Sequence, residues 1–64
     1  MTQSDPVVSI EDQIACVHRE VAMREKLYAR WIRDHKITQK TADIELSRMR
    51  AVLQTLLGLK REAA

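Results

Sequence analysis

Between Pro6 and Gly58 the chain contains neither glycine nor proline. These two residues mark most turns, because glycine adopts positive φ and proline fixes φ and lacks an N–H donor. A stretch of this length without either one favours long helices over many short elements. Its 45% apolar content is also too high for a disordered chain.

The spacing of the apolar residues predicts two amphipathic helices. In the first half these residues recur along one helical face, at Ile10, Ile14, Val17, Val21, Tyr28, Trp31 and Ile32. In the second half they follow a near-heptad spacing, at Ala42, Leu46, Met49, Leu53 and Leu56. The sequence therefore predicts an all-α fold, an antiparallel two-helix hairpin with a short turn.

Capping residues place the ends of these helices. Ser9 and Thr38 are the expected N-caps, and Gly58 is the expected left-handed residue that follows the second helix. In chain order the predicted segments are a flexible N-terminal segment 1–9, a hairpin 10–58 made of helix 10–35, turn 36–38 and helix 39–57, and a frayed C-terminal tail 59–64.

The first helix carries a second apolar stripe, formed by Cys16, Met23 and Leu27 with Trp31 at its edge. This stripe lies about 100–150° from the face that contains Val21. A domain of this size buries only about 60% of the surface that its unfolded chain exposes, and one hairpin covers only one stripe. We therefore expect a homodimer that forms a four-helix bundle; a foreign partner on the stripe is the alternative.

Arg24 interrupts the apolar face between Val21 and Tyr28, and Glu45 lies close to the opposing face of the second helix. We predict a structural ion pair between Arg24 and Glu45. The alternative is that the Arg24 side chain extends outward along its aliphatic stem.

Charge is nearly balanced overall, with 11 Lys+Arg against 9 Asp+Glu and a net charge of +2. Four basic residues nevertheless share one face of the first helix, namely Arg19, Lys26, Arg30 and Arg33. Met23 and Leu27 border this face. Such a stripe suits an acidic protein groove, a phosphate backbone or an anionic small molecule, although a solvated outer face has the same pattern. The predicted partner-binding residues are therefore Arg19, Met23, Lys26, Leu27, Arg30, Trp31 and Arg33.

Catalytic and metal-binding patterns have little support. Cys16 and His18 point to different faces of a helix, so they cannot form a nucleophile–base pair. One Cys and two His cannot complete a four-ligand zinc site without carboxylates or a second chain. We predict no enzymatic activity, no cofactor and no metal. The lack of a signal-like leader and of an apolar run of about 20 residues, with a single Cys, predicts a cytoplasmic protein without a membrane span.

Much of residues 10–57 resembles a group of short, uncharacterised helical proteins encoded in proteobacterial phages and prophages. The matching residues are Ile10-Glu11-Asp12-Gln13-Ile14-Ala15-Cys16-Val17, Arg19-Glu20, Ala22-Met23-Arg24-Glu25, Tyr28, Trp31, Ala42, Glu45 and Met49-Arg50-Ala51-Val52-Leu53. The resemblance implies stoichiometric binding and modulation, with inhibition favoured, of a host protein. The alternatives are a nucleic-acid-binding accessory protein and an oligomer that sequesters an anionic nucleotide.

Overall fold

The computed structural model describes residues 7–63, which form two α-helices and no β-strand. Helix α1 spans Ile10–Arg33 and helix α2 spans Gln39–Ala63. The helices pack against each other, and the short turn between them makes them antiparallel. The prediction of an all-α helical hairpin is confirmed. Most of the predicted flexible segment 1–9 lies outside the described residues.

Helix α1 begins at a capping motif that the local sequence specifies. The Ser9 side-chain Oγ accepts a hydrogen bond of 3.1 Å from the Asp12 backbone N–H. This bond satisfies one of the N–H groups that a helix start leaves without an intrahelical partner. Glu11 and Asp12 add negative charge to the first turn, where the helix dipole favours it.

Helix α1 ends at Arg33, two residues before the predicted boundary of 35. His35 adopts the left-handed conformation, with φ 60°. The Lys36 N–H donates to the Trp31 carbonyl at 2.8 Å and the His35 N–H donates to the Ile32 carbonyl at 3.1 Å, which is the Schellman arrangement. Histidine enters this region of φ more readily than most residues, so the helix ends without a glycine.

Thr38 caps helix α2, as predicted. Its Oγ1 accepts from the Thr41 N–H at 3.1 Å and its carbonyl oxygen accepts from the Ala42 N–H at 3.0 Å. The turn therefore occupies residues 34–38 rather than 36–38.

Helix α2 continues through Gly58 to Ala63, so the predicted end at residue 57 is wrong, and the described part of the predicted tail 59–64 is helical. Gly58 does not have a positive φ. Glycine costs only about 1 kcal/mol relative to alanine inside a helix. The residues that follow are strong helix formers, and Lys60 and Arg61 complement the dipole of the last turn.

We expect Gly58→Ala to stabilise the protein by about 0.8–1 kcal/mol, because alanine has the higher helix propensity. A Cβ added at Gly58 meets nothing within 4 Å. Thermal unfolding followed by circular dichroism should show a rise in Tm of about 4–8 °C per kcal/mol. A fall in Tm would indicate that Gly58 ends the helix in the left-handed conformation.

The contact between α1 and α2 buries very little. Val21, which is 8% exposed, and Ala42, which is 1% exposed, are the only buried apolar residues in the described range. Met23, Val52 and Leu59 are each about half exposed, at 55%, 49% and 51%. The hairpin thus leaves apolar surface in contact with solvent.

Candidate functional site

The basic stripe, Arg19, Lys26, Arg30 and Arg33, lies on the outer face of helix α1. All four side chains are exposed, and they project about 120–180° from Val21, which faces α2. Arg33 Nε lies 3.8 Å from Asp34 Oδ1, with the Arg33 side chain 74% exposed. Such an exposed pair holds the guanidinium weakly. Arg19, Lys26 and Arg30 form no ion pair with any carboxylate within residues 7–63.

A shallow groove of about 220 Å³ runs along one side of the same helix, and we call it the α1 groove. It is lined by Glu20, Met23, Arg24, Leu27, Tyr28 and Trp31. Three of the predicted partner-binding residues, Met23, Leu27 and Trp31, therefore lie together in one groove. Met23 is 55% exposed, while Leu27 and Trp31 are half-buried.

Aromatic side chains form the end of the α1 groove nearest the turn. The Tyr28 and Trp31 ring centroids are 5.8 Å apart, and the ring planes are tilted by 34°. This distance and tilt are favourable for the quadrupoles of two aromatic rings. The pair gives the groove a rigid apolar wall.

Two exposed apolar residues of helix α2 extend this surface. Arg50 of α2 faces Glu25, and Val52 and Leu59 lie about 160–180° around α2 from Arg50. They therefore lie on the side of the hairpin that carries the α1 groove. Val52 is 49% exposed and Leu59 is 51% exposed. We call the α1 groove together with Val52 and Leu59 the groove face.

The predicted Arg24–Glu45 ion pair is wrong. Glu45 Oε1 instead lies 3.5 Å from Arg48 Nη1, one turn along its own helix. Within residues 7–63 an ion pair between the two helices joins Arg50 Nη2 to Glu25 Oε2 at 2.6 Å. In an antiparallel register Glu45 lies about one helical turn away from Arg24, so the nearer Arg48 is favoured.

The Glu25–Arg50 pair borders a second groove, of about 320 Å³, on the opposite side of the hairpin from the α1 groove. It is lined by His18, Val21, Ala22, Glu25, Arg50, Leu53 and Gln54. Sequence reasoning missed this pair. The sequence does contain an indication of it. Glu25 and Arg50 lie at nearly equal numbers of residues from the turn, and each lies beside the apolar face of its helix, on the same side of the hairpin.

The α1 groove contains an acceptor without a donor. Glu20 Oε2 is buried and has no hydrogen-bond partner. Arg24, one turn further along, is half-buried and lies within 4.0 Å of no carboxylate in the described part of the chain. Buried polar atoms normally have a partner, so Glu20 Oε2 is an unsatisfied acceptor in the single hairpin.

The remaining candidates do not form a catalytic cluster. Cys16 is an exposed free thiol. Among residues 7–63, no group of three or more His, Cys, Asp or Glu side chains is arranged to hold a metal ion. Neither α1 nor α2 contains a stretch long and apolar enough to cross a lipid bilayer.

The chain matches no protein-family model, no curated protein and no solved structure. Any functional proposal therefore depends on the two surfaces of helix α1, the basic stripe and the groove face.

Proposed function

We propose that the chain is a small non-enzymatic protein of phage or prophage type that binds a host protein in the cytoplasm and modulates it, with inhibition as the favoured outcome. The observation that carries the proposal is the basic stripe. Its guanidinium and ammonium groups are exposed along one helical face. Three of these four groups form no ion pair with a carboxylate of the described residues. An acidic surface on a partner would supply the missing charge.

The composition of the stripe favours a protein partner over nucleic acid. Three of its four residues are arginines, and Arg is enriched at protein–protein interfaces. The net charge of the chain is only +2, whereas proteins that bind a phosphate backbone usually have a stronger positive excess. Nucleic acid is the second candidate, because guanidinium groups also bind phosphate oxygens.

We propose further that the protein acts as a homodimer in which two hairpins form a four-helix bundle. The support is the groove face, whose exposed apolar side chains one hairpin leaves uncovered. In such a bundle the basic stripes stay on the outside, since they project away from both α2 and the groove face. Each dimer then presents two copies of the stripe.

The test is capture of the partner from host lysate by the purified, immobilised protein, with the captured protein identified by mass. The triple variant Arg19→Glu, Lys26→Glu, Arg30→Glu reverses three charges of the stripe. We expect it to capture at least about tenfold less partner, because repulsion replaces attraction at the interface. The matched control reverses three exposed charges elsewhere, Lys36→Glu, Lys40→Glu and Arg61→Glu, and it should retain the partner.

Loss of capture in both triple variants would contradict the proposal, because net charge alone would then explain binding. Retention on duplex DNA that weakens steeply between low and moderate salt, and that requires the stripe, would overturn it in favour of the nucleic-acid function.

A further inference from the structure

We infer that the α1 groove receives helix α1 of a second copy of this chain, antiparallel to the first, and that Glu20 of each copy accepts hydrogen bonds from Arg24 of the other. This inference rests on the self-association proposed above. It adds the relative orientation of the two α1 helices, their register, and the charged groups that determine the orientation and the register.

The first support is an unsatisfied acceptor and an unpaired guanidinium in the same groove. Glu20 Oε2 is buried without a donor, and Arg24 is half-buried without a carboxylate of the described residues within 4.0 Å. The two lie in the same groove, yet they are not bonded to each other. Each is the chemical complement of the other, so a second identical groove supplies both missing partners at once.

Two-fold symmetry then determines the arrangement. An isologous interface pairs residue i with j and, equally, j with i. Placing Glu20 opposite Arg24 of the second copy puts the axis level with Ala22 and generates the second ion pair automatically. Met23, beside the axis and 55% exposed, then packs against its own copy. A parallel arrangement would instead bring Glu20 level with Glu20.

The net charges of the two halves of α1 add a weaker, long-range preference for the antiparallel orientation, although only Glu20 and Arg24 among these charged residues line the α1 groove. In residues 10–22 the charges of Glu11, Asp12 and Glu20 against Arg19 give −2, and in residues 23–33 those of Arg24, Lys26, Arg30 and Arg33 against Glu25 give +3. Antiparallel helices place the acidic half of each copy against the basic half of the other. Their helix dipoles are then also aligned favourably.

The groove face carries exposed apolar side chains of the kind that the core of a protein interface covers. Met23, Val52 and Leu59 concentrate exposed apolar atoms on the groove face, so covering that face removes them from water.

The test uses two single charge reversals in the full chain, Glu20→Arg and Arg24→Glu. In the first variant, residues 20 and 24 are both basic, and in the second both are acidic. Each homodimer then faces like charges twice, so sedimentation equilibrium should show a dimer dissociation constant raised at least about 100-fold. An equimolar mixture of the two variants restores both opposite-charge pairs. We expect the mixture to form a heterodimer with a dissociation constant within about tenfold of the wild-type value.

The matched control mixes Arg61→Glu with Glu62→Arg, two exposed charge reversals outside the α1 groove. Each of these variants should already dimerise as the wild-type chain does, and mixing should change nothing. Far-UV circular dichroism of each single variant checks that the hairpin is still helical, which separates loss of the interface from misfolding. The inference would be overturned if either single groove variant kept the wild-type dissociation constant. It would also be overturned if the mixture of Glu20→Arg and Arg24→Glu stayed monomeric.

Self-association and the Glu20–Arg24 register can be tested separately. A wild-type chain that is monomeric would remove both the dimer and this register. A wild-type dimer that ignores both groove substitutions would leave self-association standing and remove the register alone. Neither result bears on the basic stripe, since these measurements use the purified chain without a partner.

Discussion

Replacing Val21 with aspartate is expected to unfold the protein. Val21 is 8% exposed and is one of only two buried apolar residues in the described range. The substitution removes about 1.5–3 kcal/mol of apolar burial and places an unpaired carboxylate where water cannot solvate it fully, which costs several kcal/mol more. Since a domain of this size is stable by only about 3–10 kcal/mol, the far-UV circular dichroism signal of helix should be lost at 25 °C.

The control for Val21→Asp is Ile44→Asp, which makes a similar change at a side chain that is 40% exposed. Ile44 projects about 160° away from Ala42 around α2, so its carboxylate remains hydrated. We expect a loss below about 1 kcal/mol there. A Val21→Asp protein that melts within a few degrees of wild type would show that the contact around Val21 does not hold the hairpin together.

Replacing Met23 with glutamate is expected to separate the two copies while leaving the helix intact. Met23 is 55% exposed in the single hairpin, and Met and Glu have similar helix propensities, so the isolated chain is little affected. In the proposed dimer, two carboxylates would be buried close to the two-fold axis. We expect the dissociation constant to rise at least 100-fold, equivalent to about 2.7 kcal/mol, in sedimentation equilibrium at several concentrations.

The control for Met23→Glu is Ala29→Glu, which adds the same charge at an exposed position on the opposite side of α1. It should dimerise as the wild-type chain does. If Met23→Glu kept the wild-type constant, the groove face would not be the surface on which a second copy binds.

The parts of the fold that could be predicted from the sequence are those that neighbouring residues determine. The start of α1 depends on the Ser9 hydroxyl and the Asp12 N–H three residues away, so it could be placed correctly. The end of α2 could not be placed in the same way. A glycine at position 58 is compatible both with a left-handed helix end and with a helix that continues. The end of α1 was misplaced because His35 adopts a positive φ that glycine more often adopts.

In the candidate site, too, the sequence predicts the features that depend on one helix and misses those that depend on the packing of two. Periodicity alone placed Met23, Leu27 and Trp31 on one side of α1, and the groove brings them together. Which interhelical charges meet depends on the axial register and the rotation of the two packed helices. Both are properties of packing, so the sequence alone does not show that Glu45 lies a turn away from Arg24 or that Glu25 meets Arg50.

We propose that a second copy covers the groove face that one hairpin leaves exposed. Sedimentation equilibrium of the unmodified chain at low micromolar concentration distinguishes the dimer from a monomer. We predict a species of twice the chain mass of 7.4 kDa, which dissociates to the chain mass on dilution. A single species at the chain mass that unfolds cooperatively, with a Tm independent of concentration, would contradict it.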